Sequence, residues 1–507
     1  MRVQRRTAAA AVAAAALAVT TLTAGPAQAG NPNNSKKLTD AVTVDGVYRH
    51  LEALQGVADA NDGNRAAGTS GYEASGAYVE RTLEAAGYTP HRQYFDFDYF
   101  AELAPGQLAQ VSPNAKTYET ATFTYSGSGD VTATVQGVDL SLTGDRASTS
   151  GCEPGDFAGF TPGNIALVQR GTCPFGDKAA NADAAGASAV VVFNQGNDPG
   201  RMDLVVGTLG GIVTDIPVVG ASFADGNELA TTPGATAHVS ASTEMDRRQT
   251  FNIVAETSTG RADNVVMMGA HLDSVSDGPG INDNGSGSAS ILETAVQLAK
   301  VNKLNNQVRF AWWGAEELGL LGSEHYVSDL VDNDPAVLDR IATYVNYDMV
   351  ASPNYVIGVY DADQSTYPAP VEVPAGSPET EDVFTEWFDA VGQPWVDTEF
   401  SGRSDYQAFI DNGVPASGLF TGADGTKTDE EVGMFGGTAG IIYDPNYHQP
   451  GDSLANVDKQ ALDIMSDAIA HATITLAQDT SAINGKRSAG KSGHPHPTRD
   501  VGQRPAA

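Results

Sequence analysis

Positive charge is scarce in this chain of 507 residues. Lys and Arg number 29 against 63 Asp and Glu, a formal net charge of −34. Nucleic acid is therefore excluded as a main partner, because phosphate recognition needs clustered cations. The acidity favours solubility and helps to hold divalent cations. Long hydrophobic runs are scarce too. After the N-terminus no stretch approaches the roughly 18 consecutive apolar residues that a membrane helix needs. The one exception is residues 8–22, an Ala- and Val-rich run preceded by Arg2, Arg5 and Arg6 and followed by Ala27-Gln28-Ala29. This pattern is a secretory signal with a small-x-small cleavage site, so the mature chain is expected to start near Gly30 outside the cell. A membrane anchor is the alternative, and the run is short for one. Cysteine is nearly absent. Cys152 and Cys173 are the only two. In an exported protein such a pair is most simply one disulfide, with two free buried thiols as the alternative. Export would oxidise the pair, which argues against a thiol catalyst.

What the chain does contain is enough apolar material for a core. Apolar residues make up 41% and charged residues 18%, which excludes wholesale disorder. The length suggests two or three units at about 150 residues each. Helical periodicity runs over 45–58 and 70–86, with Gly87 placed to end the second helix. Residues 88–100 read as extended. From 101 to 248 the chain is rich in Gly, Thr, Ser and Val. Strands are expected at 122–125, 131–138, 165–169, 189–193 and 216–220, with a helix at 175–185. After 249, strands at 251–256, 265–270, 307–313, 341–347 and 415–420 alternate with helices at 289–301, from about 316, 380–391, 405–412 and within 454–478. That alternation predicts an α/β fold, a mixed sheet sandwiched by helices. The helices before residue 90 lack a sheet of their own. Residues 30–100 are therefore expected to join 249–481 in one unit, with 101–248 as a β-rich insertion. Residues 1–29 are the signal, 30–40 read as loose, and 482–507 as a disordered tail.

Polar residues gather where the apolar strands end, the place where α/β sheets bind ligands. His271-Leu272-Asp273 follows one strand, and Asn282-Asp283-Asn284-Gly285-Ser286 stands in the next loop. Glu316-Glu317 follows a second strand and Asp348 a third. Tyr447-His448 and Asp452 precede the last helix. Each piece alone is unremarkable. A histidine at a strand end is usually structural, paired glutamates suit a helix start, and Asn-Asp-Asn-Gly is ordinarily a turn. Together they supply two imidazoles and three carboxylates, a donor set suited to zinc. Five ligands exceed one tetrahedral zinc but serve two ions if one carboxylate bridges, and such pairs activate water for hydrolysis.

At this level the chain resembles the secreted M28 zinc aminopeptidases of the actinobacterial, leucine-aminopeptidase-like type, over about 40–100 and 250–480. The resemblance implies the zinc exopeptidase fold and two Zn2+ per chain. His271, Asp283 and Asp348 would hold one ion, and Asp283, Glu317 and His448 the other. Glu316 would be the general base and Tyr447 the oxyanion donor, with Asp273 orienting His271 from behind. Asp452 is a candidate support for His448. Ser401–Tyr406 and Gly418–Gly422 resemble segments near the substrate, which makes Arg403 and Phe420 candidate contacts; a surface ion pair and ordinary core are the alternatives. Some small secreted members flank the Tyr-His motif with cysteines, and this chain has none there. Gly151-Cys152-Glu153-Pro154, Gly171-Thr172-Cys173-Pro174 and 190–194 resemble a protease-associated domain, stapled internally by Cys152 and Cys173.

The implied activity is removal of the N-terminal residue of a peptide, Leu or another large apolar one, by an extracellular enzyme with a monomer as the default state. Acidic surroundings suit a substrate α-ammonium. The alternatives are a carboxypeptidase of the same family, a one-zinc glutaminyl cyclase, and a non-catalytic binding protein on the same fold, which would be expected to have lost ligands. The acidity leaves calcium binding open, but no D-x-D-x-D-G loop assigns it.

Overall fold

The computed structural model describes residues 32–301 and 303–486. The expected signal and all but the first residues of the expected tail lie outside the described residues. Within them, no helix is long and apolar enough to cross a membrane.

The architecture is mixed α/β. Four parallel strands form its centre in the order Ala416–Phe420, Ile341–Tyr347, Arg261–His271, Asn306–Trp313. The last of these shows why they are central. Val308, Phe310 and Trp312 enter the apolar cluster on one face, while Ala311 and Trp313 enter the cluster on the other. A strand buried on both faces reads as continuous apolar sequence, and this one does. Helices Val44–Asp59, Ser70–Ala86, Gly287–Leu298 and Lys459–Gln478 cover the first face. Helices Leu321–Asn333 and Tyr406–Asp411 cover the second. The expected helix at 70–86 is found with those bounds. The Thr69 hydroxyl caps its start, and Gly87 ends it at φ 97, a left-handed conformation that glycine adopts without strain.

Two long antiparallel strands, His91–Ser112 and Thr236–Glu256, run from this sheet into a second region. There the sheet continues through Gly129–Gly137, Ile165–Gln169, Ala189–Phe193 and Val218–Ala221. This region has its own two apolar clusters, built on residues such as Phe123, Val190 and Val219. Cys152 and Cys173 form the expected disulfide inside it.

Three expectations are corrected. Residues 32–39 are a helix rather than loose chain. Leu38 joins the main core, and the Ser35 hydroxyl lies 2.7 Å from His471 Nδ1 on the final helix. Tertiary packing overrides the weak local pattern there. Residues 122–125 form no full strand; Thr122 and Thr124 make only single bridges. The helix expected from about 316 starts at Leu321, because Ala315 and Leu320 take positive φ in the intervening turn.

The disulfide closes a loop of 21 residues in sequence separation, and chain entropy gives such a closure about 3 kcal/mol. The paired substitution Cys152→Ser and Cys173→Ser should lower the unfolding free energy of the second region by about that amount. Differential scanning calorimetry with and without reductant checks it.

Candidate metal centre

The parallel strands deliver the polar residues to one end of the sheet. His271 is the last residue of its strand, Asp348 follows Tyr347, and Glu316 and Glu317 lie three and four residues beyond Trp313. Asp283 and His448 arrive on loops. His271 Nε2 is 3.2 Å from Asp283 Oδ1 and 3.4 Å from Asp348 Oδ1. His448 Nε2 is 3.2 Å from Asp283 Oδ2 and 2.9 Å from Glu317 Oε2. Two groups of donor atoms therefore form, His271/Asp283/Asp348 and Asp283/Glu317/His448, each within a span of 4.8 Å. Asp283 belongs to both and offers a different oxygen to each. Glu316 Oε2 stands 3.8 Å from His271 Nε2, at the edge of the first group and outside both.

The loop carrying Asp283 is not an ordinary turn. Its polar neighbours are buried and clamp it to the strand end that carries Asp348. Asn284 Nδ2 donates to the Tyr347 carbonyl, and Asn284 Oδ1 accepts from the Met349 N–H. Asn282 Oδ1 accepts from the Ala351 N–H, and the Ser286 hydroxyl from the Val350 N–H. Gly287 is required for this approach, since a Cβ there would meet the Tyr347 oxygen at 2.2 Å. Ala315, Met349 and His448 all have positive φ, so strained backbone falls on or beside three of the candidate groups.

One supporting carboxylate does more than expected, and a second acts elsewhere. His271 Nδ1 lies 3.2 Å from the Asp273 carbonyl oxygen and 3.6 Å from its carboxylate. That carboxylate also accepts the N–H groups of Glu316 and Glu317 at 3.2 and 3.4 Å, so Asp273 positions the glutamate turn as well as the imidazole. Asp452 was expected behind His448. Its carboxylate instead accepts the N–H groups of Asn282 and Asp283 at 2.8 and 2.9 Å, and so sets the shared aspartate. Ser404 donates to Asp348 Oδ2 at 2.6 Å. Arg65, from the N-terminal segment, is fully buried and donates to the carbonyls of Leu272, Pro279 and Gly280. Arg65 was not singled out in the sequence, and Ser404 was read only as part of the segment Ser401–Tyr406. Arg65 follows Asn61, Asp62, Gly63 and Asn64, a polar stretch that gives no local sign of its burial.

Electrostatically the site is crowded with like charge. Burial, then repulsion from Asp283, pushes Glu317 up to about 7, and burial pushes Glu316 well above the usual carboxylate range. Burial lowers the His448 imidazole, but the Asp283 and Glu317 carboxylates more than offset it and raise it to about 10. Asp348 Oδ1 and Glu317 Oε1 are buried without a hydrogen-bond donor. Orphaned carboxylate oxygens beside paired imidazole–carboxylate groups fit divalent cations. Tyr447 stacks on His448, with ring centroids 3.8 Å apart, and burial raises its phenol so that it stays a donor. Arg403 pairs with Asp424 at 3.2 Å and lies 3.4 Å from the Tyr447 oxygen. Arg403 and Phe420 both line the recess beside the donor groups.

A third acidic group, Asp361, Asp363 and Glu381, lies apart from the first two. Its carboxylates already serve backbone N–H groups. Asp361 accepts from Ser365, Thr366 and Tyr367, and Glu381 from Ala362 and Asp363. It carries no calcium assignment.

If Asp452 sets Asp283, then Asp452→Ala should weaken zinc retention by about 10–100-fold, the scale of lost outer support. Competition with a fluorescent chelator measures this, and circular dichroism checks that the fold survives.

Comparison with known proteins agrees with the geometry. Residues 252–473 match Peptidase family M28, and 131–229 match the PA domain. An aminopeptidase of Pseudomonas aeruginosa is 47% identical over 443 residues, covering 86% of this chain and 82% of that protein. Leucine aminopeptidase 2 of Trichophyton rubrum is 39% identical over 459 residues, covering 90% and 88%. The solved aminopeptidase from Aneurinibacillus sp. strain AM-1 superposes with a TM-score of 0.65 at 27% identity, covering 88% of this chain and 96% of that one. The chain belongs to peptidase family M28, a zinc-dependent metallopeptidase that carries a PA domain.

Proposed function

We propose that this protein is a secreted aminopeptidase with a dinuclear zinc site, acting on peptides whose N-terminal residue is Leu or another large apolar one. The observation that carries the two-ion reading is Asp283, which offers one carboxylate oxygen to each of two donor groups. His271 and Asp348 complete one group, Glu317 and His448 the other. Two zinc ions held there would polarise the scissile carbonyl and supply an activated water.

The remaining roles belong to the chain's own side chains. Glu316 sits at the edge of the donor groups, and burial raises its carboxyl, which suits a base that takes a proton from the attacking water and returns it to the leaving amine. The Tyr447 phenol donates to the carbonyl oxygen as charge develops on it. Asp273 keeps Glu316 and Glu317 apart in role by holding both backbone N–H groups. Phe420, Tyr360 and Tyr406 offer an apolar wall for the first side chain. The acidic recess favours a free α-ammonium, and the relatives named aminopeptidase and leucine aminopeptidase support that choice.

We assign residues 101–248 to the inserted PA module and 30–100 with 249–481 to the peptidase unit. The separate apolar clusters support this division. Export rests on the N-terminal pattern of Arg2, Arg5, Arg6 and 8–22, and on the disulfide. A monomer is the working state, with peptide N-termini as the partner.

The direct test uses Leu-p-nitroanilide, its N-acetylated form and an N-blocked peptide with a free C-terminus, each with and without chelator. Chelator-sensitive cleavage of the free-amine substrate alone is expected; release of C-terminal residues instead would make the enzyme a carboxypeptidase. Zinc analysis should return two ions per chain. Glu316→Ala should keep its zinc and lose at least about 10²-fold in kcat, whereas Glu317→Ala should lose zinc. The opposite pattern of metal loss would exchange the two roles.

A further inference from the structure

The recess beside the donor groups is not uniformly apolar. Tyr360 and Tyr406 are buried at its wall, with ring centroids 4.7 Å apart, and Tyr360 also stacks with Phe420. These rings suit the stem of an extended side chain. Besides the candidate metal groups and Glu316, the same recess is lined by two more carboxylates, Glu399 and Asp424. They differ in their commitments. Asp424 is paired with Arg403 through two contacts at 3.2 and 3.3 Å. Glu399 is exposed and has no ion pair with a described Lys, Arg or His. Arg403 is thus neutralised, and the uncompensated charge on that wall is negative.

Glu399 is also well placed along the chain. It follows the short strand Val396–Thr398, which pairs with Gly358–Tyr360 and so flanks the tyrosine wall. The loop then runs to Ser404, whose hydroxyl holds Asp348 at 2.6 Å. One short segment therefore spans from the donor groups to the far wall of the recess.

We propose that Glu399 makes this recess accept a cationic first residue, lysine or arginine, in addition to an apolar one. The methylene stem lies along Tyr360 and Phe420, and the charged head reaches Glu399 at the wet rim, as long cationic side chains do elsewhere. The proposal rests on the aminopeptidase reading and names a further substrate class for it. Because the pair is exposed, its effect is modest and salt-sensitive.

The test compares lysine and norleucine p-nitroanilides, which share a straight stem and differ in the ammonium. The readout is the ratio of their kcat/KM values. Wild type should cleave both, and 0.5 M NaCl should lower the ratio. Glu399→Gln should lower it by about 3–5-fold, and Glu399→Lys should lower it further. Zinc content and melting temperature establish that each variant is folded. A ratio unchanged in both variants, or a wild type that cleaves norleucine but rejects lysine, overturns the proposal while leaving the aminopeptidase reading intact. Cleavage of neither substrate by a zinc-loaded wild type overturns both.

Discussion

Carboxylates packed into a dry place are the constraint on which the rest of this structure depends. Asp273, Asp283, Glu316, Asp348, Asp405 and Asp452 are all buried at one end of the sheet, with Glu317 beside them. Taking an ionised carboxylate out of water costs several kcal/mol unless it is paired. Asp405 illustrates the pressure: both its oxygens lack a donor, and burial pushes its carboxyl up to about 7. The cluster is tolerable because most of its other members have something positive or polar to face. Asp273 and Asp452 spend their charge on backbone N–H groups. Asp283, Glu317 and Asp348 face imidazoles. Zinc held there would complete the balance, and its binding would then be coupled to the stability of this end of the sheet.

Arg65 is the fixed cation in that balance. Burial lowers its guanidinium to about 10, against the raising influence of Asp273, Asp452 and Asp283. It remains charged at neutral pH. Its hydrogen bonds go to backbone carbonyls at the end of the His271 strand and ahead of the Asp283 loop. It therefore ties together two segments that carry candidate donors, without being one itself. The same economy recurs at Asn282, Asn284 and Ser286, which hold the Asp283 loop to the Asp348 loop.

The scaffold makes such precision affordable. The candidate donors His271, Glu317 and Asp348 lie at or just beyond the ends of strands buried on both faces, and Trp312 and Trp313 fill opposite faces of one of them. Close packing resists small shifts, so a loop anchored to two such strands has little freedom. The antiparallel pair His91–Ser112 and Thr236–Glu256 carries the second region away from the centre, with its own apolar clusters. No described residue of that region lines the recess beside the donor groups.

Much of this was legible in the sequence because it depends on local pattern. Apolar runs marked the central strands, and Gly87 marked the end of one helix. His271, Asp283, Glu316, Glu317, Asp348 and His448 stood out because each follows an apolar run or sits in a polar loop between elements. What the sequence left open were the partners. Asp452 serves the Asp283 loop and not His448, Asp273 divides its contacts, and Arg65 reaches the site from more than 200 residues away in the chain. The turn holding Glu316 and Glu317 replaced an expected helix start, and residues 32–39 became helical against the final helix. By itself, then, the sequence determined the elements and the donor types, since period and side-chain chemistry are local properties. Which atoms meet, and which carboxylate is shared, only the tertiary structure decided, because hydrogen-bond partners and buried charge are settled by distances between segments remote in the chain.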